Sequence, residues 1–441
     1  MEVLIVNPPL TMEVSCAILH FMAISPQILK KIILEQRDIP LPSELFEREV
    51  LSELRPLQKN NDIVVITGLR RCGKSTVLHH LRQSKRKADY ALNFDDERLE
   101  PFQLSDFQTL CEVFIELFGV QNEYYFDEIQ NITGWERFVR RLHTQGHKVY
   151  VTGSNATLFS QELGTRLTGR YTQVEMYPYS FKEYASHYLP NLNQLDIFTT
   201  EQVGRALGCF SDYLEKGGLP EYIRFGEKSH LQMLYESILY RDIVARYHLT
   251  SDVGIKKLVL LLASHVGKEL SYANLAKTLG LSATSVADYC SYLQGSYLSF
   301  LISRYSHSVN KQILSHKKCY FIDPSMARIV GFRPSEDRGR LFENLVFLEL
   351  KRRKEEIYFH KEEKECDFIT RKAGRIHQAI QVCADISSPE TKMREIEGLL
   401  DAMRAHSLKK GLIITDHEEE TLKLPAGTLT LIPAWKWLLG D

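Results

Sequence analysis

Net charge, paired cysteines and long apolar runs are all missing from this 441-residue chain. Lys and Arg number 55 against 56 Asp and Glu, a formal charge of −1. No overall field therefore draws nucleic acid, and such a partner needs a local basic patch. The eight cysteines (Cys16, Cys72, Cys111, Cys209, Cys290, Cys319, Cys366 and Cys383) form no C-x-x-C pair, which argues against a zinc ribbon. They read as reduced thiols of a cytoplasmic protein. No run reaches membrane length. The apolar N-terminus carries Glu2 and Glu13, has no basic lead and is broken by two prolines, a poor signal peptide. Those first 21 residues read equally well as an extension ahead of Met22. Internal repeats and low-complexity tracts are lacking too.

What is present is the mix of a globular protein, 44% hydrophobic and 25% charged, long enough for roughly three domains at about 150 residues each. The stretch DIVVITGLRRCGKSTVLHHL, from Asp62 to Leu81, carries its most specific chemistry. Ile63 to Thr67 is a β-branched run, a buried strand; from Thr76 the pattern turns helical. Between them lies G-x-x-x-x-G-K-S at Gly68, Gly73, Lys74 and Ser75. Glycines let successive amides curl around an anion, and the helix N-terminus adds its positive dipole end. The loop residues Gly68, Arg70, Arg71, Cys72, Gly73, Lys74, Ser75 and Thr76 are expected to hold ATP. Lys74 should reach the β- and γ-phosphates, and the Ser75 hydroxyl should bind magnesium. Cys72, inside the loop, is a tolerated small residue or an oxidation-sensitive one.

A second strand, YYFDE, ends in Asp127 and Glu128. The first acid is expected in the magnesium shell and the second as the residue that orients the attacking water. A third, KVYVTGSNATL, ends in Ser154 and Asn155, with Asn155 the stronger candidate for the γ-phosphate or the water. YALNFDDERL reads as a further strand ending in acids. Together they predict a doubly wound parallel sheet with its ligand at the strand C-termini. Arg166 and Arg170, four apart, could stack on one helical face. Either suits the charge of a transferring phosphoryl group, as a finger for a neighbour's ATP in a ring; the alternative is local pairing.

GLRRCGKST, YYFDEIQNITGWE, VTGSNATLFSQELGTRLTGRY, PYSFKEY, YLEKGGLPEYI and LYRDIVARY together resemble a large prokaryotic AAA-type ATPase family. Its members join the ATPase to a C-terminal domain of unknown function, similar to a winged helix followed by a restriction-endonuclease-like fold. The resemblance runs from about Ile28 to the end. It implies an α/β fold: an N-terminal extension and helix at 1–45, a P-loop core at 46–185, a helical lid at 186–250, a winged helix at 251–322 and an endonuclease-like α/β domain at 323–441. It also implies that Lys216-Gly217-Gly218-Leu219-Pro220 is a lid motif that senses the nucleotide.

The middle segment reads as a helix-turn-helix, with Ser282 as N-cap of the second helix and Leu275, Leu279, Leu281, Val286, Cys290 and Leu293 as its small core. Its recognition helix would present Thr284, Ser285 and Asp288, with no basic residue for base readout. Arg304, His307, Lys311, His316, Lys317 and Lys318 form a basic wing that could touch phosphates. In the tail, Glu343 and Asp367 fit two places of a nuclease site, but Gln381-Val382-Cys383 stands where glutamate-x-lysine is required. Lys392 is a remote substitute. The reading is an inactive nuclease fold, its two acids held by Lys364 or Arg371. The expected function is an ATPase motor in a ring, expected as a hexamer, that uses magnesium and acts on duplex or branched DNA without sequence preference and without a membrane. The alternative is a nucleotide-dependent signalling switch, defence- or toxin–antitoxin-like, whose tail contacts protein.

Overall fold

The computed structural model describes residues 24–40, 45–83, 89–155, 167, 169–190, 199–331 and 338–440. Five strands make the first sheet: β1 Ile63–Gly68, β2 Tyr90–Asn93, β3 Glu123–Asp127, β4 Lys148–Gly153 and β5 Tyr171–Met176. Their order is β2-β3-β4-β1-β5, and every pair is parallel. β1 and β4 are buried at every position because helices cover both faces. Alternation does the sorting: Val64 and Ile66 join one apolar cluster, Ile63 and Val65 the other. β4 lies between β1 and β3, so the loop after β1 and the acids after β3 flank the end of β4.

Helices follow. Phe181–Tyr188 and Thr200–Lys216 each start on a capping box, Ser180 with Glu183 and Thr199 with Gln202. A short helix, Pro220–Phe225, places its proline in the first turn, and Lys228–Ser237 runs into a π-helical stretch, Ile238–Ala245. Next come helices Val253–Ser264, Tyr272–Leu279 and Ala283–Gly295 with a three-stranded antiparallel sheet of β6 Glu269–Leu270, β7 Ser299–Ser303 and β8 Lys317–Phe321, in the order β6-β8-β7. Gly280, at φ +68°, ends the second of these helices, and Ser282 caps the third by accepting from Ser285 N at 2.9 Å.

After the helix Arg338–Arg352 the chain builds a six-stranded mixed sheet. Its strands are β9 Glu356–Lys361, β10 Glu365–Lys372, β11 Arg375–Cys383, β12 Lys410–Thr415, β13 Glu420–Leu424 and β14 Gly427–Pro433, in the order β13-β14-β12-β11-β10-β9. One continuous apolar cluster runs from Phe46 and Val64 through Phe210 and Leu258 to Phe347 and Trp437. It joins the first sheet, the helices and the C-terminal sheet, while two further clusters, around Phe126 and Ile413, fill the other faces of the two large sheets.

Candidate functional site

The loop after β1 is shaped by three backbone conformations. A Cβ on Gly68 would lie 2.2 Å from the Met176 carbonyl oxygen, so only glycine fits there. Gly73 has φ +98°, and Arg71 takes a left-handed φ of 60° despite its side chain. The helix Lys74–Gln83 starts directly from this curl. Lys74 is 3% exposed; its Nζ donates to the Gly68 and Leu69 carbonyls at 3.1 and 3.0 Å and lies 3.6 Å from Glu128 Oε1. Ser75 is exposed beside it and Thr76 half-buried. Cys72 is buried, and burial raises its thiol above the ordinary range, so it is not an exposed thiolate.

Asp127 closes β3, and Glu128 follows in a left-handed turn at φ 49°. Thr152 of β4 bridges the two: its hydroxyl donates to Asp127 and accepts from Glu128 N. Burial pushes the Asp127 carboxyl up, helped by the Glu128 charge, while the Ser75 and Thr152 hydroxyls pull it down. Burial would raise Glu128 too, but Lys74 and Arg70 hold it below the usual range. Two adjacent acids are thus driven apart, one toward proton retention and the other toward a charged carboxylate. The Ser75 hydroxyl and Asp127 oxygens are hard donors of the kind magnesium takes, so these residues fit that ion. Ser154 and Asn155 are buried at the end of β4. A cavity of about 280 Å³ adjoins Ser75, Thr76 and Asp127.

The loop arginines are engaged from the segment after Gly217. Arg70 holds Asp242 of the π-helical stretch through Nε and Nη2, at 2.9 and 2.8 Å. Arg71 Nη1 donates to Glu221 at 3.0 Å. Beneath the loop, Arg48 donates to the Cys72 and Tyr177 carbonyls at 2.7 and 2.6 Å and pairs with Glu183 at 3.0 Å. Sequence reasoning missed Arg48, Thr152, Glu221 and Asp242. Their partners stand 24 to 172 residues away, and only the single acids of LPEYI and LYRDIV hinted at Glu221 and Asp242.

Arg170 is exposed at the start of β5, its carbonyl accepting from Ile63 N at 3.0 Å. β1 and β5 run in register from Ile63–Tyr171 to Gly68–Met176. Arg170 is therefore about 17 Å of strand from this chain's own loop. Arg166 lies outside the described residues.

In the C-terminal part, Lys318 replaces the expected holders of Glu343 and Asp367. Its Nζ lies 3.3, 3.1 and 2.8 Å from Glu343, Asp367 and Glu365. Lys364 instead pairs with Glu397, Arg371 with Glu356 and Lys392 with Glu420. Lys318 is 1% exposed and cannot meet phosphates. Lys317 caps the Gln312 and Ile313 carbonyls, and His316 pairs with Glu269. Gln381 accepts from Asp367 N at 3.2 Å and donates to Glu395.

Residues 60–185 match the model of an AAA domain, and residues 208–336 a domain of unknown function, DUF8612. The chain is 31% identical over 433 residues to the uncharacterised protein MJ1544 of Methanocaldococcus jannaschii, covering 93% of this chain and 95% of that one. The chain belongs to the MJ1544 family. A Haemophilus influenzae member, also uncharacterised, is 30% identical over 84% of this chain and 93% of its own length. This MJ1544-family chain carries an AAA-type P-loop ATPase domain on an α/β parallel sheet. Among solved structures it is similar to a STAND-type signal transduction ATPase, PH0952, of Pyrococcus horikoshii (15% identity, 71% of this chain and 46% of that one, TM-score 0.27) and to the Thermotoga maritima RuvB Holliday junction branch migration motor (15%, 63% and 94%, TM-score 0.29). Superpositions this loose carry no functional argument. Among the described residues, no helix is long and apolar enough to cross a membrane.

Proposed function

We propose that this chain hydrolyses ATP to ADP and phosphate, with magnesium as cofactor. The observation that carries the reading is the convergence of the Gly68–Ser75 loop, buried Lys74 and the Asp127–Glu128 pair at the ends of the parallel strands β1 and β3, with β4 between them. The loop amides cradle the phosphates. Lys74 leaves the Gly68 and Leu69 carbonyls for the β- and γ-oxygens. Glu128, held charged by Lys74 and Arg70, orients water and takes its proton. Asn155 orients the water or the γ-phosphate. Ser75 and Asp127 would hold magnesium, which neutralises phosphate charge when bound.

The proposal extends to the remaining parts. Three helices and the β6-β8-β7 sheet form a winged helix, and the C-terminal sheet an endonuclease-like fold without cleavage chemistry. Gln381 and Cys383 lack the required charges, and Lys318 occupies the acids. Copies assemble in a cytoplasmic ring, where Arg170 would serve only a neighbour's ATP. DNA is contacted through backbone phosphates. One observation favours a nucleotide-dependent switch instead: Asp242 and Glu221 already grip the phosphate loop, so nucleotide and lid state are tied.

Steady-state ATP hydrolysis with and without duplex, branched and single-stranded DNA tests both readings, with Lys74→Ala as blank. A motor turns over faster with DNA. A switch turns over slowly and ignores DNA. Turnover no higher than the blank overturns the ATPase reading itself.

A further inference from the structure

Arg70 is held in a way that binding phosphate alone does not require. It is the third residue of the loop, immediately before the left-handed turn at Arg71. Its side chain is 10% exposed and that of Asp242 only 1%. Nε and Nη2 form a two-pronged pair with the Asp242 carboxylate. Among the described residues Nη1 makes a 3.9 Å approach to Asp95, beyond hydrogen-bond length, which leaves its protons for another acceptor. Asp95 is itself held by Arg241, the residue before Asp242. The guanidinium is thus fixed between the π-helical stretch and the end of β2. π-Helical turns recur at functional sites, and here one presents Arg241 and Asp242 to the same small network.

We propose that Arg70 is the arginine this chain sets in cis against the phosphoryl group being transferred, with Asp242 as the positioning residue that holds its guanidinium over the cradle. The proposal rests on the ATPase reading above. In the step it serves, the water oxygen bonds to the γ-phosphorus as the bond from that phosphorus to the β–γ bridging oxygen breaks. The electron pair leaves with ADP, and the water's proton passes to Glu128. Charge on the γ-oxygens meets the Nη1 edge of Arg70. Arg70 then meets this charge within its own chain, and a neighbour's Arg170 would only add to it.

The test uses the full chain with Arg70→Ala, Arg70→Lys and Asp242→Asn. Three quantities are read: turnover, ADP affinity, and the tightening of ADP binding by aluminium fluoride with magnesium, which mimics the transferring group. Arg70→Ala should keep ADP affinity within about threefold, lose turnover by about 10³-fold and lose the aluminium fluoride tightening. Arg70→Lys should recover little, because an ammonium cannot make the two-pronged pair with Asp242. Should Arg70→Ala fail to fold, the lysine variant decides alone. Asp242→Asn should cut turnover about tenfold or more and weaken the tightening, with ADP affinity unchanged. Mixing Arg70→Ala with Lys74→Ala chains should restore nothing. Wild-type turnover or tightening in the Arg70 variants overturns the proposal while leaving the ATPase reading intact, and so does rescue on mixing. A wild-type chain that fails to exceed the Lys74→Ala blank overturns both.

Discussion

Lys317 and Lys318 are neighbours in sequence and opposites in environment. In β8 successive side chains face opposite sides of the sheet, so Lys317 reaches outward to helix carbonyls while Lys318 points into a nest of carboxylates. A buried ammonium is tolerable only with such partners. The acids outnumber it, and burial pushes Glu343 up to about 7, with the Asp367 charge adding to the rise and Lys318 opposing it. A folded-state pKa above the unfolded value means that the folded chain keeps a proton which the unfolded chain has released. The resulting stabilisation is full at low pH and is lost as pH rises from about 4.5 through 7. Glu343→Gln keeps an acceptor for the Tyr320 hydroxyl, which donates to Glu343 at 2.6 Å, but removes the titration. Denaturant unfolding at pH 5 and pH 8 should show the variant gaining on the wild type by roughly 2 kcal/mol between them. An equal offset at both pH values would mean that Glu343 titrates alike in both states.

At the scale of elements, Gly217-Gly218-Leu219-Pro220 is a joint rather than a flexible hinge. Gly218 N donates to Asp323 at 2.7 Å, its carbonyl accepts from Tyr179 N at 2.8 Å, and a Cβ on it would lie 2.2 Å from the Tyr179 carbonyl oxygen. The neighbouring helix starts at Pro220 and carries Glu221 to Arg71. Gly218→Ala forces two backbones apart. It should cost about 1–3 kcal/mol, seen as a lower melting temperature, and should change ADP affinity because Glu221 shifts with the joint. An unchanged melt with unchanged affinity would show the joint to be soft. Strands β1, β3 and β4 and their polar ends were legible because each is a short apolar run closed by residues that have no packing reason to be there. In the tail, the runs IYFH, CDFIT and HQAIQVCAD overlap β9, β10 and β11. Asp242 and Lys318 were not legible in those roles. Their meaning lies in partners 172 and 49 residues away, and a pair of adjacent lysines resembles a solvated run until strand alternation separates them.

For the whole molecule, the decisive fact is that the phosphate loop and the three-helix unit touch. Tyr297 donates to Thr67 Oγ1 at 2.8 Å, one residue before Gly68, and Gln173 of β5 donates to the same oxygen. With the shared apolar core, this makes independent drift of the C-terminal parts costly and gives nucleotide state a physical route to them. The surface at the end of that route is the segment between β7 and β8, where Arg304, His307 and Lys311 are exposed alongside Val309, Ile313 and Leu314. In a chain of net charge −1, such a local patch is what a phosphate backbone requires. Each neutralised phosphate lowers the slope of log affinity against log salt by about 0.9. If this segment meets DNA, Arg304→Ala with Lys311→Ala should make the slope shallower by about 1.8 and weaken duplexes of any sequence alike. Through the Tyr297 contact, ATP and ADP should give different affinities in the wild type, and Tyr297→Phe should narrow that difference, because a coupling free energy needs the contact that carries it. Fluorescence anisotropy over a salt series reads all three quantities. An unchanged slope in the double variant would remove DNA from this surface and leave its exposed apolar residues to a protein partner.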